Sequence, residues 1–161
     1  MEPTATRVWK RLGREERVAA ATHFWREPPE DVVGAALSAV IKARRLRPQV
    51  ARALPPEEQA RALAGVLDPG ETVAAALLVS LHLGERRALL ATFLDAAGLA
   101  HEDGILRDEE GGAPPLGEAG ARQGVRALCA AYPREQVETY LNTLWLQDPE
   151  RWRVLEQAPD C

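Results

Sequence analysis

Three residues in the middle of the chain have the types and spacing for acid–base chemistry. His101, Glu102 and Asp103 are consecutive in the stretch AGLAHEDGILRDEEGGAPPLGE, residues 97–118. An imidazole beside two carboxylates could bind a cation or act as an acid–base pair. The Asp-Gly step that ends the cluster is also a turn signal, which suits polar residues in a loop between helices. We favour the loop interpretation and keep a ligand or metal site as the alternative.

The other two histidines each have an acidic residue at helical spacing. Glu27 follows His23 by four residues, and Glu85 follows His82 by three. Either imidazole could join His101 in a shared small-molecule or metal site. The simpler interpretation is a partly exposed histidine with a local ion pair. We assign no metal, cofactor or catalytic residue.

The common catalytic motifs do not occur in this sequence. It has no HExxH zinc motif, no Glu-x-x-His pair of the di-iron type, no Walker-type or GxGxxG glycine loop and no GxSxG. Ser38 and Ser80 are its only serines, and both fall in helical segments. These absences favour a protein without catalytic activity and leave an enzyme as the alternative.

A basic stretch in the first third of the chain could bind anions. Five of the thirteen residues in KARRLRPQVARAL, residues 42–54, are cationic. They are Lys42, Arg44, Arg45, Arg47 and Arg52. Binding of nucleic-acid phosphates is our third hypothesis, but no aromatic residue lies among these arginines and the chain has a net charge of −4. Cations at a helix C-terminus also complement the helix dipole without any partner.

The charge is divided unevenly along the sequence. Met1–Leu54 holds eleven Lys and Arg against six Asp and Glu, whereas Pro55–Cys161 holds nine against eighteen. This polarity could steer a partner, or it could attract one part of the fold to the other. We prefer the second explanation because it needs no partner.

The elements that must position these residues are helices. Alanine and leucine dominate, and apolar residues recur every three to four positions without sustained alternation. We therefore predict an all-α fold, a compact irregular bundle of eight to ten helices in one domain over residues 1–161. Central helices are expected at 71–83, ending at Gly84, and at 86–97, with one continuous kinked helix as the alternative. Residues 99–117 are expected to form an acidic Gly/Pro-rich loop, and Asp148-Pro149-Glu150 is expected to start the last helix.

The cysteines and the apolar segments indicate where in the cell the protein is expected. Cys129 and Cys161 do not make a disulfide framework, and the N-terminus lacks the apolar segment of a secretory signal. The apolar run Val73–Leu83 is shorter than the ~20 residues that span a bilayer. We therefore expect a cytoplasmic protein that does not cross a membrane.

The four tryptophans are predicted to pack in the core, with one exception. Trp9, Trp25 and Trp145 lie on apolar helical faces. Trp152 is in a short last helix that must pack on its own domain or on a second subunit, so it is a candidate interface residue.

The stretch LLATFLDAAGLAHEDGIL, residues 89–106, with DPERW near the end, resembles segments of small all-helical bacterial proteins of unassigned function. The resemblance implies an all-α fold and no particular activity. Our leading functional hypothesis is a non-enzymatic cytosolic domain that binds another protein or a second copy of itself.

Overall fold

The computed structural model describes residues 2–107 and 116–161 and confirms the all-α fold. Ten α-helices in these residues match the expected eight to ten. They are α1 (Ala5–Arg11), α2 (Arg14–Arg26), α3 (Glu30–Arg44), α4 (Pro48–Ala53), α5 (Pro56–Ala64), α6 (Glu71–Glu85), α7 (Arg87–Ala97), α8 (Glu118–Ala131), α9 (Arg134–Gln147) and α10 (Pro149–Trp152). A 3₁₀ helix, η1 (Arg153–Gln157), follows α10, and strands β1 (His101–Glu102) and β2 (Ile105–Leu106) form an antiparallel hairpin. None of the helices in the described residues has the length and apolar character needed to cross a membrane.

Proline and acidic residues start several of these helices, as the sequence pattern predicts. Pro48, Pro56 and Pro149 each occupy the first turn of a helix, where a missing N–H costs no hydrogen bond. The Asp148 carboxylate accepts a hydrogen bond of 3.0 Å from the Arg151 N–H. The expected start of the last helix is therefore confirmed.

The chain forms two compact units, Met1–Glu85 and Arg86–Cys161. Each unit has its own buried apolar side chains. The organisation of residues 1–161 as one domain stays a prediction.

The first unit is built around α2, which packs against α5 and α6. Trp9 from α1 is fully buried, and its Nε1–H donates a 2.9 Å hydrogen bond to the Val66 carbonyl. The Arg17 guanidinium donates to the carbonyls of Leu12 and Ala64, at 2.6 and 3.0 Å. Both side chains tie loop backbone to the helices, which satisfies carbonyls that the chain turns would leave unpaired.

Glu71 at the start of α6 caps the N-terminus of α1. Its carboxylate accepts hydrogen bonds from the backbone N–H groups of Ala5 (2.8 Å) and Thr6 (3.1 Å) and from the Thr6 hydroxyl. The hydrogen bond from the Thr6 hydroxyl is the main reason that the pKa of Glu71 lies below its usual value. A carboxylate at this position also complements the positive end of the helix dipole.

Helix α6 continues through Gly84 and ends at Glu85, one residue beyond the predicted end, and a separate helix begins at Arg87. The physical reason is packing against α2. A Cβ atom at position 84 would lie 2.7 Å from Cγ of His23, so only glycine leaves room for the histidine ring. Gly84 therefore serves close helix packing and does not end the helix.

The second unit is built around the contact of α7 with α8. Gly124 lets the helices approach closely, since a Cβ atom there would lie 2.7 Å from Cε2 of Phe93. The Phe93 ring also packs edge-to-face on Tyr140, with ring centroids 5.5 Å apart, and lies 6.1 Å from the Trp152 ring. Burial raises the pKa of the Tyr140 phenol well above its usual range, so the hydroxyl stays protonated at physiological pH.

Candidate functional site

The cluster His101-Glu102-Asp103 lies on a β-hairpin, where the sequence predicted an irregular loop over residues 99–117. Asp103 and Gly104 form its turn, with φ angles of 49° and 84°. Two successive positive φ angles are typical of the type I′ hairpin turn, which Asp-Gly favours. Gly104 also lies against α7, since a Cβ atom there would be 2.9 Å from Cβ of Leu90. Residues 108–115 of the predicted loop lie outside the described part of the chain.

Both ring nitrogens of His101 make hydrogen bonds inside this unit. Nδ1 accepts from the Gly104 N–H at 3.1 Å, so the ring proton lies on Nε2. Nε2–H donates to the Asp95 carboxylate on α7 at 2.6 Å. The imidazole thus joins the hairpin turn to α7, and neither nitrogen is left to act as a base or a metal ligand.

The two carboxylates of the cluster face arginines. Asp103 forms an ion pair of 3.0 Å with Arg87, and Glu102 lies 3.7 Å from Arg107. These side chains, with Ile105 and Leu106, line an open cleft of about 400 Å³. The two arginines and two carboxylates that line the cleft therefore balance in charge, and each exposed pair contributes little to stability.

The other two histidines have packing roles in the first unit. His82 on α6 is 2% exposed, and its Nδ1–H donates a 2.8 Å hydrogen bond to the Leu78 carbonyl. The His23 ring is half-buried against Gly84. Within residues 2–107 and 116–161, no group of three or more His, Cys, Asp or Glu side chains is placed to hold a metal ion.

The candidate interface residue Trp152 packs inside its own unit. Its side chain is 3% exposed and lies against Phe93, which is the first of the two alternatives that the sequence left open. Trp9 is also buried, whereas Trp25 and Trp145 are half-buried.

The basic stretch forms the most distinctive surface of the first unit. We call residues 42–52 the cationic segment. It comprises the end of α3, a turn and most of α4, with Arg45 ending α3 in the left-handed conformation at a φ of 51°. All five cationic residues are exposed. Their side chains make no hydrogen bond or ion pair with any residue that the structure describes.

The sequence surrounding the cationic segment explains why these charges have no local partner. No Asp or Glu occurs from residue 32 to residue 56. Val50, at the centre of α4, is 47% exposed and adds an apolar side chain to the same segment. The segment therefore presents uncompensated positive charge beside an exposed apolar group.

Cys129 and Cys161 form a disulfide, which the spacing of the two cysteines in the sequence did not predict. An even number of cysteines was the only signal available in the sequence. With a separation of 32 residues, their proximity depends on how α8, α9 and the C-terminal segment pack.

Comparison with protein-family models, curated proteins and solved structures found no match. The function is therefore argued from the residues of this chain.

Proposed function

We propose that this chain is a non-enzymatic, cytoplasmic protein-binding domain whose cationic segment docks on an acidic surface of a partner protein. The observation that supports the proposal is the set of five exposed cations without an ion pair in the described residues. In an otherwise acidic chain, such a set concentrates positive potential at one place on the surface.

The physical basis of docking is charge complementarity with a small apolar contribution. Each exposed ion pair formed with a partner contributes about 0.2–1 kcal/mol. Several pairs together give modest affinity, and they also accelerate and orient the encounter. Val50 would be covered on docking, which adds a hydrophobic contribution that salt does not screen.

The features of the segment favour a protein partner over a nucleic acid. Helix α4 has six residues, fewer than two turns, which gives little length for reading a DNA groove. Residues 42–54 include no aromatic side chain for stacking on bases.

A pair of charge-matched variants tests the proposal. The first is Arg44→Gln with Arg47→Gln and Arg52→Gln, which removes three charges from the cationic segment. The control removes three exposed arginines elsewhere in the first unit, and its substitutions are Arg11→Gln, Arg14→Gln and Arg26→Gln. Binding of a fluorescent Glu-rich peptide is measured by anisotropy for both variants and the unaltered chain.

We expect the first variant to lose about tenfold in affinity and the control to stay within about twofold. Equal losses in both variants would mean that net charge alone drives binding, and this would contradict the proposal. Tighter binding of duplex DNA than of the peptide, lost in the first variant, would replace the proposal with nucleic-acid binding. Light scattering of the unaltered chain shows whether a second copy supplies the acidic surface.

A further inference from the structure

The disulfide holds the end of the described chain onto α8. Cys129 is half-buried on α8, whereas Cys161 is exposed, and their Cα atoms are 5.4 Å apart. Between α10 and Cys161 lie η1 and residues 158–160. The covalent bond thus fixes one end of this short segment.

The other end of the segment is fixed by packing. Trp152 is 3% exposed and lies against Phe93. Helix η1 packs on α8. Its side chains Val154 and Leu155 are half-buried, and its other side chains are exposed. A five-residue 3₁₀ helix has weak internal hydrogen bonds and does not persist without such support. Packing on α8 and the disulfide therefore hold residues 153–161 in position together.

We propose that the Cys129–Cys161 disulfide is a reversible redox clasp that releases residues 153–161 when it is reduced. A thiolate of a dithiol reductant attacks one sulfur, breaks the S–S bond and forms a mixed disulfide, while the other cysteine leaves as a thiolate and takes up a proton. The second thiol of the reductant then attacks the reductant's sulfur in the mixed disulfide, and the protein's cysteine leaves as a thiolate and takes up a proton. The protein gains two thiols, and the reductant is oxidised to its own disulfide.

Exposure is the reason for expecting reversibility. Because Cys161 lies exposed, a reductant can approach the bond without prior unfolding of the unit. Because Trp152 is held by Phe93, the aromatic core stays packed after the bond breaks. The chemistry of the clasp does not depend on the proposed location or on the cationic segment.

Release changes the surface of the second unit. Val154 and Leu155 leave α8, and the face of α8 beneath η1 becomes exposed. The reduced form therefore exposes the apolar side chains of Val154 and Leu155, which are half-buried in the oxidised form.

The test compares the oxidised and reduced chain in native buffer, with dithiothreitol as the reductant. Thiol titration counts reduced cysteines, and amide hydrogen exchange follows residues 153–158 and α7. We expect both thiols to appear without denaturant and exchange in residues 153–158 to accelerate by about tenfold or more, while α7 stays folded and remains better protected than these residues. Cys161→Ser is the matched control, and it should behave as the reduced chain does with or without dithiothreitol.

Two results would overturn the clasp. One is a disulfide that dithiothreitol reduces only after the chain has been unfolded. The other is full reduction with unchanged exchange in residues 153–158. Neither result affects peptide binding by the cationic segment, so each of the two proposals can be refuted without the other.

Discussion

Replacing Gly124 with alanine should destabilise the second unit, although alanine is the better helix former. Position 124 lies within α8, where glycine costs about 1 kcal/mol relative to alanine. The new Cβ atom, however, would lie 2.7 Å from Cε2 of Phe93 and 3.3 Å from the Phe93 carbonyl oxygen. Both distances are shorter than van der Waals contact, so one of the helices must shift.

The size of the effect follows from how firmly Phe93 is held. Its ring is fully buried and packs between Tyr140 and Trp152, so it cannot rotate away. Overpacking of this kind costs about 1–3 kcal/mol. After the gain of about 1 kcal/mol in helix propensity, we expect Gly124→Ala to lower the free energy of unfolding by up to about 2 kcal/mol. In contrast, Gly34→Ala in α3 should raise it by about 0.5–1 kcal/mol, since a Cβ atom there meets nothing within 4 Å.

Urea denaturation followed by circular dichroism measures both variants. A double-mutant cycle with Phe93→Leu then isolates the contact, because leucine lacks the ring carbon that Cβ would meet. The cost of Gly124→Ala should be smaller in the Phe93→Leu background. The reasoning would be refuted if Gly124→Ala stabilised the chain as Gly34→Ala does.

Three further predictions concern caps and cross-links. Glu71→Gln should lower the free energy of unfolding by about 1 kcal/mol at neutral pH, because α1 loses a charged cap. The lowered pKa of Glu71 means that this stabilisation is complete above the usual value of 4.5 and is lost as pH falls through the folded-state pKa. Urea titrations of the two chains should therefore converge in acid, and a constant difference would contradict the assignment. The double variant Cys129→Ser, Cys161→Ser should lower the free energy of unfolding by about 3–4 kcal/mol, because the unfolded chain gains the entropy of an opened loop of 32 residues. Equal urea midpoints for this variant and the oxidised chain would contradict this prediction. His101→Leu should accelerate hydrogen exchange of the Gly104 amide about fivefold, because the amide loses a hydrogen bond of ~1 kcal/mol. NMR measures this exchange rate, and an unchanged rate would refute Nδ1 as the acceptor of the Gly104 N–H.

The sequence was sufficient for the fold class because helical periodicity is a local property. Apolar residues recur once per turn, and the Asp148-Pro149 start of α10 depends only on neighbouring residues. Gly84 was misinterpreted because a glycine that ends a helix and one that admits a ring from another helix look alike in sequence. Only the approach of His23 distinguishes them.

In the candidate site too, local features could be predicted from the sequence and tertiary contacts could not. Asp103-Gly104 predicted a turn correctly, since turn chemistry is local. The partner of His101 could not be predicted, because Asp95 reaches the imidazole only after the hairpin folds back on α7. The exposure of the cationic residues and the Cys129–Cys161 pairing likewise depend on tertiary packing.

The most direct test of the central claim is the affinity for the acidic peptide at low and at physiological salt. If the uncompensated cations bind it, the affinity of the unaltered chain falls with salt, since salt screens exposed charges. The variant with Arg44→Gln, Arg47→Gln and Arg52→Gln should then bind weakly at both salt concentrations, while the control with Arg11→Gln, Arg14→Gln and Arg26→Gln should follow the unaltered chain. Identical salt dependence for the two variants would contradict the claim that the cationic segment is the binding surface.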